Sequence, residues 1–280
     1  MQKIIAVIFD FDDTLAPDST SSFLERQGLD VKAFWKSVDP LLNAGWDPVP
    51  AYLFRMVEES QKRRKKPFTK AAFEAHGRGL KPFAGATTIF SRLRKHVAAI
   101  CPDAKVEFYV ISSGIRVTLQ ESCLAKQFTD VWASDFHYGR DGGIIFPKNI
   151  VSFTDKTRYL FHVSKGITGP EMRNKPFEVN RKHDSANLRI PLNNMVYVGD
   201  GYTDIPCFSL LKKNGGTSIG VYDRENREKW GRAWGFTEDG RVSNLVPADY
   251  GKKSALADSL LMATEAIAKR IKLSGTSYQG

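Results

Sequence analysis

Cysteine is scarce in this 280-residue chain: three residues, Cys101, Cys123 and Cys207, odd in number and far apart. That excludes a disulfide framework and fits reduced thiols in a cytoplasmic protein. No apolar run approaches the roughly 20 residues of a membrane-spanning helix, which excludes a membrane pump. The apolar stretch from Ile4 to Phe9 stops at Asp10, with no small-residue cleavage site, so it reads as a buried strand and not as a secretory signal. Zinc-finger Cys/His spacing, RNA-binding aromatic strands, internal repeats and low-complexity tracts are missing too. A nucleic-acid partner therefore rests on charge alone. The formal net charge is +10, from 41 basic and 31 acidic residues. A balance of that sign suits anionic ligands generally and selects none of them. The densest basic run, Arg63-Arg64-Lys65-Lys66, reads as a solvated face.

What the chain does contain is an alternation of apolar strand-like runs and helical patterns, the mark of an α/β protein with a parallel sheet. Strands are expected at Ile4–Phe9, Val106–Ile111, Val131–Phe136, Met195–Val198 and Thr217–Val221. Their unbroken apolar character suits strands covered by helices on both faces. Almost a hundred residues separate the first two, far more than one crossover helix needs. Helical patterns at 19–26, 30–42, 49–64 and 69–79 predict a small helical insertion over 17–81, with 1–16 and 82–280 forming the main domain. A further helix is expected from Gly85 to Lys95, and a C-terminal amphipathic helix over 254–273. Asp141-Gly142-Gly143 marks a candidate hairpin within 137–147. The stretch from Gly169 to Arg189 is polar and irregular.

Four features carry chemistry. Asp10 and Asp12 close the first strand, and residues two apart in extended chain point to one side. Both carboxylates can then meet one ligand at the carboxyl edge of the sheet, where open α/β folds bind. Burying two acids together calls for a cation or a shared proton; read blandly, they cap the following helix. Gly199-Asp200-Gly201-Tyr202-Thr203-Asp204 follows another buried strand, with glycines that leave room beside Asp200. Ser112-Ser113-Gly114 ends a third strand and offers a hydroxyl and free amides to an anion, or an ordinary cap. Asp155-Lys156-Thr157 opens a helical stretch; alone, Lys156 is one basic residue among 41.

Taken in order, Asp-x-Asp-x-Thr at Asp10 to Thr14, Ser112, Lys156 and Gly-Asp-Gly-x-x-Asp at Gly199 to Asp204 resemble the haloacid dehalogenase (HAD) superfamily. The likeness is to members of the phosphoserine-phosphatase and phosphocholine-phosphatase types, which carry a helical cap between the first two motifs. It implies a Rossmann-like core and a Mg²⁺-dependent phosphatase that hydrolyses small phosphorylated metabolites through an aspartyl-phosphate. Asp10 would be the nucleophile and Asp12 the acid and base. Ser112, Ser113, Gly114 and Lys156 would hold the phosphoryl oxygens. Mg²⁺ would be held by Asp10, Asp12 through its backbone carbonyl, and Asp200, with Asp204 orienting the site. Lys148 and Lys165 compete with Lys156 for the lysine role, and Asp13 receives none. Asp12 argues against a dehalogenase. A phosphomutase or other phosphotransferase, and a non-catalytic binding protein of the same fold, are the alternatives. The cap aromatics Phe23, Phe34, Trp35, Trp46, Tyr52, Phe54, Phe68 and Phe73 are expected to form a small core.

Overall fold

The computed structural model describes all residues except 1, 64, 173–174, 185–186, 227–229 and 277–280, and the side chains of 232 and 276. Seven strands form one sheet in the order β4-β3-β2-β1-β5-β6-β7. They are β1 (Ile4–Phe9), β2 (Lys105–Ile115), β3 (Asp130–Tyr138), β4 (Ile144–Asn149), β5 (Met195–Gly199), β6 (Thr217–Tyr222) and β7 (Asn244–Pro247). All neighbours pair in parallel except β3 and β4, which form an antiparallel hairpin. Its turn has Gly142 at φ +78°, with the Asp141 carboxylate accepting the Gly143 N–H at 3.0 Å.

Strand β1 shows how the sheet is buried. Ile5, Val7 and Phe9 face a cluster with α5 (Ala86–Ile100) and the C-terminal α10 (Ala255–Thr276). Ala6 and Ile8 face the opposite cluster, built from α7 (Phe153–Lys165), α8 (Ile205–Lys213) and α9 (Trp230–Glu238). A strand covered on both sides must be apolar at every position, as its sequence is. Among the described residues no helix is long and apolar enough to cross a membrane.

Between β1 and α5 lie four helices: α1 (Ser19–Arg26), α2 (Val31–Asn43), α3 (Pro48–Lys62) and α4 (Lys70–Gly79). Each begins at a side-chain cap, with Asp18, Asp30, Asp47 and Thr69 accepting backbone N–H groups of the first turn. Their core gathers Phe23, Phe34, Phe68 and Phe73, but it also takes Ile115 and Val117 from the end of β2 and the short helix α6 (Arg116–Gln120), and Phe136 and Ile144 from the hairpin. Trp46 and Phe54 depart from the expected core: both are exposed, and they pack on each other at 5.2 Å. The basic run is not wholly a solvated face. Arg63 donates to the Gln27 carbonyl and lies over the Phe68 ring, Lys65 and Lys66 are exposed, and Arg64 lies outside the described residues.

Two elements had no counterpart in the sequence pattern, β7 and α9. The irregular stretch from Gly169 to Arg189 carries short 3₁₀ turns at Pro170–Met172 and Glu178–Asn180, and four of its residues lie outside the described set.

Candidate active site

Strand β1 lies at the centre of the order, and the chain runs outward from it to β2, β3 and β4 before returning to its other flank at β5. The carboxyl ends of β1, β2 and β5 therefore meet at a topological switch point, where such sheets leave a crevice. Asp10 continues β1, its N–H donating to the Val198 carbonyl at 2.9 Å. Asp200 directly follows β5, and Ser112 to Gly114 lie where the pairing of β2 with β3 shifts register.

Carboxylate oxygens of Asp10, Asp200 and Asp204 come within 4.8 Å of one another, and all three residues are buried. Lys156 stands between two of them. Its Nζ donates to Asp10 Oδ2 at 2.8 Å and to Asp204 Oδ1 at 2.7 Å, and its side chain is fully buried. Of the three candidate lysines, the other two are engaged elsewhere. Lys148 pairs with Asp135 at 3.1 Å, and Lys165 donates to the carbonyls of Val179 and Arg181.

Asp204 ends a single 3₁₀ turn, Tyr202–Asp204, just before α8. Its Oδ1 also accepts the Tyr197 hydroxyl at 2.7 Å, and its Oδ2 accepts the Gly201 N–H at 3.0 Å. With its oxygens so occupied, Asp204 orients Lys156. Its approach explains Gly199, where a Cβ would lie 2.5 Å from the Asp204 Cγ.

The Asp12 carboxylate accepts the Ser19 N–H at 2.9 Å, at the entry to α1, and stands outside the three-carboxylate cluster. It crowds Gly114, where a Cβ would meet Asp12 Oδ2 at 2.6 Å. Ser112 Oγ accepts the Gly114 N–H at 3.1 Å, while Ser113 offers its carbonyl to the Tyr52 hydroxyl at 2.6 Å. The Ser113 hydroxyl is buried without a partner. Asp13 takes φ +55°, a left-handed turn that sends the chain from the strand end toward α1. Thr14 Oγ1 lies 3.5 Å from Asp200 Oδ1, and the Thr14 carbonyl accepts the Tyr250 hydroxyl at 2.8 Å.

Burial dominates the electrostatics. It raises Asp10 to about 6 even though Lys156 and Ser112 pull it down. Burial, then the charge of Asp18, lifts Asp12 well above the usual carboxylate range. Lys156 is held above its ordinary value, because the pull of Asp10 and Asp204 outweighs its own desolvation.

The residues present fit a hard divalent cation. Three carboxylates (Asp10, Asp200 and Asp204) gather around one ammonium, so charge remains on oxygen donors, and the cluster holds no nitrogen or sulfur ligand among the described residues. Tyr197 has no place in the sequence reading, and Tyr52 enters it only as a cap-core aromatic; each is a tyrosine among apolar neighbours, and its buried hydroxyl needs a partner.

A mostly parallel sheet with acids and a lysine converging at its switch point defines a doubly wound α/β protein with a buried acidic site. The profile of haloacid dehalogenase-like hydrolases matches residues 7–209, and the chain belongs to that family. An uncharacterised protein of Borreliella burgdorferi is 25% identical over 285 residues, spanning 91% of this chain and 94% of its own. A HAD-family hydrolase of Salmonella enterica serovar Typhi superposes with a TM-score of 0.58 at 13% identity, over 92% of this chain and 70% of that one. A phosphoserine phosphatase carrying a phospho-aspartyl intermediate analogue superposes at 0.54 and 17% identity, over 92% and 98%.

Proposed function

We propose that the protein is a Mg²⁺-dependent phosphatase that hydrolyses small phosphomonoesters through an aspartyl-phosphate on Asp10. The observation that carries this reading is the grip of Lys156 on Asp10 Oδ2 beside the Asp200 carboxylate, with Asp12 two residues on. Asp10 is aimed by two protein hydrogen bonds, from Lys156 at 2.8 Å and from the Phe11 N–H at 2.6 Å. A fixed carboxylate oxygen is a prepared nucleophile.

Burial, with the charge of Asp18, raises the Asp12 carboxyl well above the usual carboxylate range, the direction a leaving-group acid requires. Asp10 attacks phosphorus while Asp12 delivers its proton to the departing alkoxide. Asp12 then takes a proton from the water that attacks phosphorus, which breaks the bond to Asp10 and releases inorganic phosphate with both acids restored. Lys156 offsets charge on Asp10 and the phosphoryl oxygens, and the Ser112–Gly114 turn offers donors to those oxygens. Asp10 and Asp200 would hold Mg²⁺ with the Asp12 carbonyl, and the ion when bound supplies positive charge to the phosphoryl group. The helices over 17–81 serve as the cap that closes the site to water.

Turnover of p-nitrophenyl phosphate tests the reading. Asp10→Asn should lower kcat by about a thousandfold or more while the far-ultraviolet dichroism stays that of the wild type. EDTA should stop the wild-type reaction and added Mg²⁺ restore it. Wild-type turnover by Asp10→Asn, or full activity in metal-free buffer, would refute it.

A further inference from the structure

A cavity of about 430 Å³ lies along β3, lined also from helix α7, the end of β4 and the chain after Ile167. It shares no lining residue with the crevice over Asp10, which encloses about 320 Å³ and has Asp18 and Trp35 in its walls. Strand pairing leaves this space open. Strand β4 pairs with β3 only from Asp135 onward, so the outer edge of β3 from Asp130 to Ser134 has no partner strand among the described residues. Side chains meet two of the groups there: the Asp130 carboxylate accepts the Val131 N–H at 2.8 Å, and the Asn149 amide donates to the Ala133 carbonyl at 2.9 Å. Between them Trp132 stacks on Tyr159 of α7 at 5.4 Å and meets the His162 ring at 5.9 Å. One wall is therefore aromatic, and Ile167 and Met172 extend it.

The charges around this wall do not cancel. Arg116 and Lys148 both reach one oxygen, Asp135 Oδ2, the lysine at 3.1 Å, while Asp135 Oδ1 accepts the Phe136 N–H at 2.9 Å. Arg158 shares a face of α7 with His162, four residues on, and pairs with Asp155 at 3.2 Å. The oxygens of Asp130 accept backbone N–H groups, from Val131 and from Gly169 at 2.8 Å. Among the described residues lining the cavity, three cations thus stand against two carboxylates. Arg116 Nε is buried and has no partner among them. A charged donor left without an acceptor is costly, and a ligand oxygen or an ordered water removes that cost. The volume lies within the roughly 300–1,000 Å³ of small-molecule sites, which are mostly apolar with a few converging polar groups.

We propose that this cavity is a binding site for a small monocarboxylate with an aromatic body, separate from the catalytic crevice. The carboxylate lies against Arg116 and Lys148, and the ring against Trp132 and Tyr159. A carboxylate supplies the single negative charge that the walls lack and an acceptor for the arginine, whose planar fork matches it. A phosphate ester would bring a second charge with no cation to answer it.

Titration calorimetry on the whole chain tests the site, with phenylacetate, its neutral isostere phenylacetamide, and acetate as the probes. Phenylacetate should bind with a Kd below about 1 mM. It should bind at least about tenfold tighter than either the amide, which lacks the charge, or acetate, which lacks the ring. Arg116→Gln and Lys148→Met should each weaken phenylacetate by about threefold or more. Lys148 is half-exposed, so its variant keeps the fold even if the arginine variant does not. Trp132→Leu should narrow the gap between phenylacetate and acetate. Asp200→Asn, in the other crevice, should leave the Kd unchanged. A Kd above about 1 mM, equal binding of acid and amide, or wild-type affinity in both charge variants overturns the inference. So does a Kd that moves with Asp200→Asn and not with Lys148→Met. None of these outcomes bears on the phosphatase reading, because no probe is a phosphate ester.

Discussion

Lys156 shows what single residues do in this protein. A fully buried ammonium is tolerable only when opposite charges surround it, and Asp10 and Asp204 do so at 2.8 and 2.7 Å. The acids of β1 and β5 could be placed from sequence, because each follows an apolar run directly. The choice among Lys148, Lys156 and Lys165 could not, since helix α7 has to dock on the sheet before one of them reaches Asp10. His76 gives the residue scale its own prediction. Its Nε2–H donates to the Ser19 carbonyl at 3.1 Å, and its Nδ1 is buried with no partner, so burial holds the ring neutral and its pKa below 6.5. With a depressed folded value, the unfolded chain binds the extra proton first as pH falls. Stability from this group is thus complete above pH about 6.5 and is lost below it. Asp10 and Asp12, raised by burial, act in the opposite sense over this range, so the readout is the difference between the two proteins: the urea midpoint of the wild type relative to His76→Gln should fall as pH goes from 8 to 5.5. His162, also depressed by burial, contributes to both proteins alike. A difference that does not change with pH would contradict the assignment.

Among the elements, helix starts were legible because caps act over two or three residues. Asp18, Asp30 and Asp47 each accept an N–H within that distance. The hairpin turn at Asp141 to Gly143 was legible for the same reason. Strand β7 has four residues, too few to show a period, and α9 is interrupted by Gly231 and Gly235, so neither left a clear pattern. Asp47 does more than cap α3. It also accepts the Ser152 hydroxyl at 2.9 Å, linking the helical insert to the start of the helix that carries Lys156. Asp47→Ala should cost about 1 kcal/mol in chemical denaturation, more than Ser152→Ala, which removes the link and spares the cap. Asp47→Asn should recover most of the loss. Equal losses for the two alanine variants would mean that the cap contributes nothing.

For the molecule as a whole, the helical insert and the sheet domain share a hydrophobic core. Phe136 of β3 stacks on Phe73 of α4 at 6.0 Å, and Ile144 of β4 donates its N–H to the Phe68 carbonyl at 2.9 Å. The insert therefore has no separate interior to melt. Calorimetry should show one transition with equal calorimetric and van't Hoff enthalpies, and Phe136→Ala should lower stability by about 3–5 kcal/mol without splitting it. A separate low-temperature transition would refute the shared core.

Sequence alone determined the strands of the sheet interior, the capped helices of the insert, and the strand-end positions of Asp10, Asp12, Ser112 and Asp200. These follow from hydrophobic period, cap chemistry and chain direction, all of which act over a few residues. Tertiary structure decided that Lys156 meets Asp10 across 146 positions, that Tyr197 steadies Asp204, and that Trp35 and Asp18 wall an acidic crevice in a basic protein. Those contacts depend on strand order and helix docking. The free energy behind them comes from burying surfaces far apart in the chain, which no local pattern records.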